Sequence, residues 1–114
     1  MATTNLMRPL TVCITADLVP HSGVAVKVGE QQLAVFYMPD ESPQIYVMDN
    51  YDPIGRANVM SRGILGDIKG ELVVAAPLYK QHFRLCTGVC VEDEGVSVAV
   101  FKSAIIDDSV VVWL

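Results

Sequence analysis

The sequence predicts an all-β protein, an antiparallel β-sandwich or barrel with long loops and at most one or two short helical turns. Three observations predict it. Short runs rich in Val, Ile and Tyr alternate as half-buried strands do, and Gly, Pro, Asn and Asp break them at intervals of roughly 8–12 residues. No amphipathic stretch is long enough for a substantial helix. A chain of 114 residues has room for one domain with its own core, and 52% hydrophobic against 18% charged residues excludes a disordered chain. Residues 1–9 lack periodicity and read as a flexible lead-in; residues 10–114 form the single domain.

The first strand is expected at 10–14, followed by about one helical turn at 15–20 with Thr15 as its cap and Pro20 as its stop. Residues 23–28 alternate as a half-buried strand does, and Gly29-Glu30 turns the chain into a second strand at 32–37, which together read as a hairpin. After a polar loop at 39–43, a strand at 45–48 completes a three-stranded meander. Residues 49–63 show no strand pattern, and Asp52-Pro53, Gly55 and Gly63 favour a long packed loop with one helical turn near 58–61. Strands follow at 64–65 and 72–75 across a turn at 66–70. Val96 to Phe101 alternates as a strand, and 104–106 and 110–113 close the chain as a hairpin around Asp107-Asp108-Ser109.

Several chemistries are excluded. Eight basic against thirteen acidic residues give a net charge of −5, which repels a phosphate backbone, so no nucleic-acid partner is expected. No apolar run approaches the roughly 18 residues of a membrane span. The first residues lack the pattern of an export signal, which points to the cytoplasm. Cys13, Cys86 and Cys90 are odd in number and read as reduced, buried thiols. Cys86 and Cys90 face each other across Thr87-Gly88 but fall short of the four donors of a closed metal site, and His21 and His82 lack partners at zinc spacing. There is no phosphate-cradling Gly loop, no activated nucleophile and no carboxylate pair set apart by environment. Glu92-Asp93-Glu94 reads as solvated surface.

One polar pattern stands out. If residues 80–85 are extended, the period of two puts Lys80, His82 and Arg84 on one face and Gln81, Phe83 and Leu85 on the other. That basic stripe reads either as an ordinary solvent-facing strand or as a docking surface for an anionic partner, with Arg84 making bidentate contacts.

The long Gly-containing loop, then strand-Pro77 with Phe83, Leu85 and Thr87-Gly88, then closing hairpins, resembles the Rieske domain from about Ile45 to Trp113. In that family two loops, Cys-x-His and Cys-x-x-His, hold a two-iron cluster through two thiolates and two imidazoles. The matching positions here are Asp52-Pro53-Ile54 and Ala76-Pro77-Leu78-Tyr79, so Asp52, Ile54, Ala76 and Tyr79 stand where the ligands would be. The resemblance therefore implies a Rieske-like domain with no cluster, no metal and no catalytic residues of its own. The separation from Gly55 to Ala75 is also longer than is usual in cluster-bearing members.

A narrower family lacks the ligands in the same way. The chain is similar to the small subunit of the cytoplasmic NAD(P)H-dependent nitrite reductase at Asp49-Asn50-Tyr51-Asp52-Pro53, Val59-Met60-Ser61-Arg62-Gly63, Gly70-Glu71-Leu72-Val73-Val74-Ala75, Pro77 to Leu85 and Glu92-Asp93-Glu94. Asp108-Ser109 departs from the Asp-Gly often found in the last turn. The resemblance implies a non-catalytic accessory subunit, whose large partner carries FAD, an iron-sulfur cluster and siroheme and reduces nitrite to ammonium in nitrate assimilation. Lys80, His82 and Arg84 are the expected partner contacts. The alternatives are an electron carrier with an unusual metal centre and a free-standing binding module on the same scaffold.

Overall fold

A computed structural model describes residues 7–114. It contains twelve strands and two short 3₁₀ turns. Its organising layer is a four-stranded antiparallel sheet in the order β10-β4-β3-β2, built from Ser22–Val28 (β2), Gln31–Tyr37 (β3), Ile45–Asp49 (β4) and Val100–Phe101 (β10). Leu33, Ala34, Val35 and Phe36 of β3 are all fully buried. An unbroken apolar run is what a strand covered on both faces requires, and each face has its own core.

Ala34 and Phe36 point into one core with Met48, Met60, Val74, Ala76, Phe83 and Leu85. This core packs the central sheet against a three-stranded sheet of Ile64–Ile68 (β7), Glu71–Ala75 (β8) and His82–Arg84 (β9). Leu33 and Val35 point the other way, into a core with Ile45, Val47, Val110 and Val112. This one packs the central sheet against Pro9–Ile14 (β1), Ser103–Ile106 (β11) and Ser109–Trp113 (β12), in the order β1-β12-β11. Each buried Val, Leu or Phe contributes roughly 1.5–3 kcal/mol, so the three layers stand on these two cores.

The meander of β2, β3 and β4 and the closing hairpin are where the sequence puts them; several local expectations are not. Arg8 and Leu114 exchange two backbone hydrogen bonds of 3.0 and 3.1 Å, so the end of the expected lead-in is tied to the sheet; residues 1–6 lie outside the described residues. Thr15 does not cap the first turn, Thr15–Asp17: the backbone N–H of Ile14 donates to the Asp17 carboxylate at 3.1 Å. The 49–63 loop contains a small hairpin, Tyr51–Asp52 (β5) with Ala57–Asn58 (β6), before its 3₁₀ turn at Met60–Arg62. The turn expected at 66–70 narrows to Lys69-Gly70, both at positive φ, which lengthens β7 and β8. The strand expected from Val96 to Phe101 shrinks to β10, because Val98 turns inward to bond Gly88. Cys90 is buried, but Cys86 is exposed.

The last hairpin turns on Asp107 and Asp108, at φ 49° and 63°. Positive φ at both central positions is the requirement of a type I′ turn, which Gly meets more cheaply in the second place. Asp108→Gly is expected to stabilise the domain by about 0.5–1 kcal/mol, read as a raised urea midpoint at constant slope.

Candidate functional site: two self-closed loops

The loop at residues 52–56 is closed by its own backbone. The N–H of Arg56 donates to the Asp52 carbonyl at 2.7 Å, and Asp52 Oδ1 accepts from the Ile54 N–H at 2.9 Å. Arg56 sits in the left-handed region at φ 58°. The loop at residues 76–80 repeats this design: the Lys80 N–H donates to the Ala76 carbonyl at 2.9 Å, and Lys80 sits at φ 62°. A further bond, Ala76 N–H to the Gln81 carbonyl at 2.8 Å, locks its neck. Each loop is therefore a single unextended helical turn ended by a left-handed cation.

The two loops touch. A Cβ on Gly55 would lie 2.6 Å from Leu78 Cδ1 and 2.7 Å from Asp52 Oδ2, so a larger residue there would displace the Leu78 side chain or the buried Asp52 carboxylate. Asp52 is fully buried, and its Oδ2 has no hydrogen-bond partner among the described residues. Ala76 belongs to the first core, and Ile54 packs against it. Tyr79, by contrast, is 64% exposed. Asp52 and Ala76 are thus buried and Ile54 partly so, while Tyr79 faces outward.

Asn50, which sequence reasoning passed over, holds the first loop in place. This buried amide accepts from the Ser61 N–H at 2.7 Å and donates to the Asn58 carbonyl and to Gln32 Oε1, both at 3.1 Å. An uncharged amide between Asp49, which ends β4, and the following loop was the available signal, and a weak one.

The basic stripe does not form as a stripe. Lys80 leaves the extended region, so the period of two begins only at His82. Arg84 Nε donates to Glu71 on the neighbouring strand at 2.9 Å. The His82 ring pairs with Glu92, which also accepts the His82 backbone N–H at 2.8 Å. Glu92 is thereby tied to β9 rather than free in solvent. The thiol of Cys90 lies 3.6 Å from the same carboxylate.

Burial pushes the Glu92 carboxyl up, but the backbone and ring donors of His82 outweigh it and hold the group below its ordinary 4.5. A carboxyl depressed in the folded state contributes stability that is complete above its unfolded value and lost as pH falls through the folded one. Glu92→Gln is expected to flatten the loss of stability below about pH 4.5, measured by urea unfolding along a pH series. Because the pair is partly exposed, the effect is small and screened by salt.

The layered sheets and the two apposed loops define a Rieske-like domain. The family model of the Rieske-like [2Fe-2S] domain matches residues 10–113, and the chain belongs to that family. Within it, the chain is homologous to the nitrite reductase (NADH) small subunit of Escherichia coli K12, with 41% identity over 96 residues that cover 84% of this chain and 88% of that one. The NMR structure of the E. coli protein NirD superposes with a TM-score of 0.85 at 35% identity, covering 96% of this chain and 98% of that one. An 82-residue stretch, 71% of this chain, is 44% identical to a segment making up 8% of the nitrite reductase NAD(P)H large subunit of Klebsiella oxytoca. Among the described residues no helix is long and apolar enough to cross a membrane.

Proposed function

We infer that this chain is a non-catalytic accessory subunit of an NAD(P)H-dependent nitrite reductase, working beside a large subunit in the cytoplasm in the assimilatory reduction of nitrite to ammonium. The observation that carries this is the near end-to-end match to a nitrite reductase small subunit, 84% of this chain against 88% of that one. The Klebsiella segment supports it, because there a similar stretch lies within a large-subunit chain.

The side chains of the two loops do not fit the two-iron cluster of the wider family. Such a cluster takes two thiolates and two imidazoles. Asp52 brings one unpartnered oxygen, Ile54 and Ala76 bring apolar side chains engaged with the core, and Tyr79 brings an outward phenol. On this reading the backbone bonds that close both loops do the shaping that ligands would otherwise do. FAD, an iron-sulfur cluster and siroheme belong to the partner subunit, and this chain contributes binding.

The test is nitrite reduction by the purified large subunit with and without this chain, with iron measured in each. An iron-free, colourless chain that raises turnover supports the reading. Stoichiometric iron with a visible spectrum in the isolated chain overturns the cluster-free assignment, and turnover indifferent to the chain overturns the accessory role.

A further inference from the structure

The two loops carry an apolar surface that the fold leaves open. Ile64 and Tyr79, at 77% and 64% exposure, are the most exposed large apolar side chains among the described residues, and Leu78, at 51%, joins them. Arg62, Ile64, Ala75, Ala76, Pro77 and Lys80 line a shallow cleft of ≈ 200 Å³ beside them, and no carboxylate lines it. Leu78 reaches across to Gly55, which brings the first loop and its Arg56 to the same surface.

The rim of this surface carries the opposite charge to the molecule. Arg84 is the one Lys or Arg with an ion-pair partner among the described residues, and three of the other seven, Arg56, Arg62 and Lys80, belong to this region of a chain whose net charge is −5. Two of them are held at a backbone cost: Arg56 and Lys80 sit at φ 58° and 62°, where glycine would sit freely. The same left-handed ending, each time at a cation, thus closes both of the touching loops. The side chains of His82 and Arg84 are already engaged by Glu92 and Glu71, which leaves Lys80 as the member of that trio without a carboxylate partner among the described residues.

We propose that Ile64, Leu78 and Tyr79, rimmed by Arg56, Arg62 and Lys80, form the face that docks on the large reductase subunit, against a patch that is apolar at its centre and carboxylate-lined at its edge. This rests on the accessory-subunit reading above. The apolar centre sets how long the complex lasts, and the cationic rim speeds the encounter and selects the acidic partner.

The experiment is calorimetric and stopped-flow binding of the full-length chain to the purified large subunit. Ile64→Glu, Leu78→Ser and Tyr79→Ala are each expected to weaken binding by about 30-fold or more, with thermal midpoints unchanged for Ile64→Glu and Tyr79→Ala, whose side chains are exposed, and lowered for Leu78→Ser, which also gives up its contact with the first loop. Arg56→Gly and Lys80→Gly should separate the two roles of these residues. Relief of the left-handed strain raises the thermal midpoint by roughly 2–5 °C, while loss of the cation lowers the low-salt association rate by about tenfold. Lys27→Glu on β2 serves as a control that keeps wild-type affinity. Wild-type binding that none of the surface variants disturbs overturns the surface and leaves the accessory reading standing. A wild-type chain that does not bind the large subunit at all overturns both.

Discussion

Alanine in place of Gly88 is expected to lower the stability of the domain by more than about 3 kcal/mol. Gly88 sits at φ 79°, and a Cβ there would lie 1.9 Å from the backbone oxygen of Val98. The left-handed conformation alone costs a non-glycine residue roughly 1–2 kcal/mol. The collision adds more, because what it strikes is backbone that cannot rotate away. Val98 N–H donates to the Gly88 carbonyl at 2.8 Å and Gly88 N–H donates to the Arg84 carbonyl at 2.7 Å, so moving either chain breaks the bonds that end β9. Urea unfolding reads the result as a lower midpoint at unchanged slope. A loss below about 1 kcal/mol would show that this crossing yields more easily than its geometry indicates.

Asn50→Ala is the second large effect, at about 2–4 kcal/mol. The substitution removes the acceptor of the buried Ser61 N–H and the donor that serves both Asn58 and Gln32. Leaving a buried donor unpaired costs more than the bond was worth on balance, since no water replaces the lost partner. Asn50→Asp keeps the oxygen that Ser61 needs but turns a second oxygen, with a charge, toward two acceptors, and is expected to cost at least as much. Amide hydrogen exchange distinguishes this from general unfolding: in Asn50→Ala the Ser61 amide should lose protection well before the amides of β3. Equal loss across both would show that Asn50 supports the core rather than the loop.

Elements with a local cause were legible in the sequence. The β2–β3 turn follows from Gly29-Glu30 after the alternating run of β2, whereas the burial of β3 on both faces was not read from the sequence although its uninterrupted apolar run carries it. Elements with a distant cause were not. Val96 to Phe101 alternates convincingly, yet Val98 is drawn out of strand geometry by Gly88, ten residues earlier. The alternation at 80–85 fails because Lys80 ends a closed turn, and its left-handed conformation has no marker in a lysine.

The site was legible in part for the same reason. Missing donors at Ile54 and Ala76 are visible in the letters, whereas the engagement of Arg84 by Glu71 and of His82 by Glu92 depends on strand register and on a loop returning to β9. A row of basic residues therefore overstated the free positive charge on β9. Arg56 and Arg62, separated from that row in sequence, supply it instead.

The two hydrogen bonds between Arg8 and Leu114 continue the β1–β12 ladder and place these two residues side by side. Links made at Arg8 or at Leu114 therefore start from neighbouring points. A covalent link from that point to a larger protein raises the effective concentration of such a domain at a docking surface without altering that surface. The Klebsiella large subunit, which contains a stretch similar to this chain, shows that covalent joining occurs among its relatives.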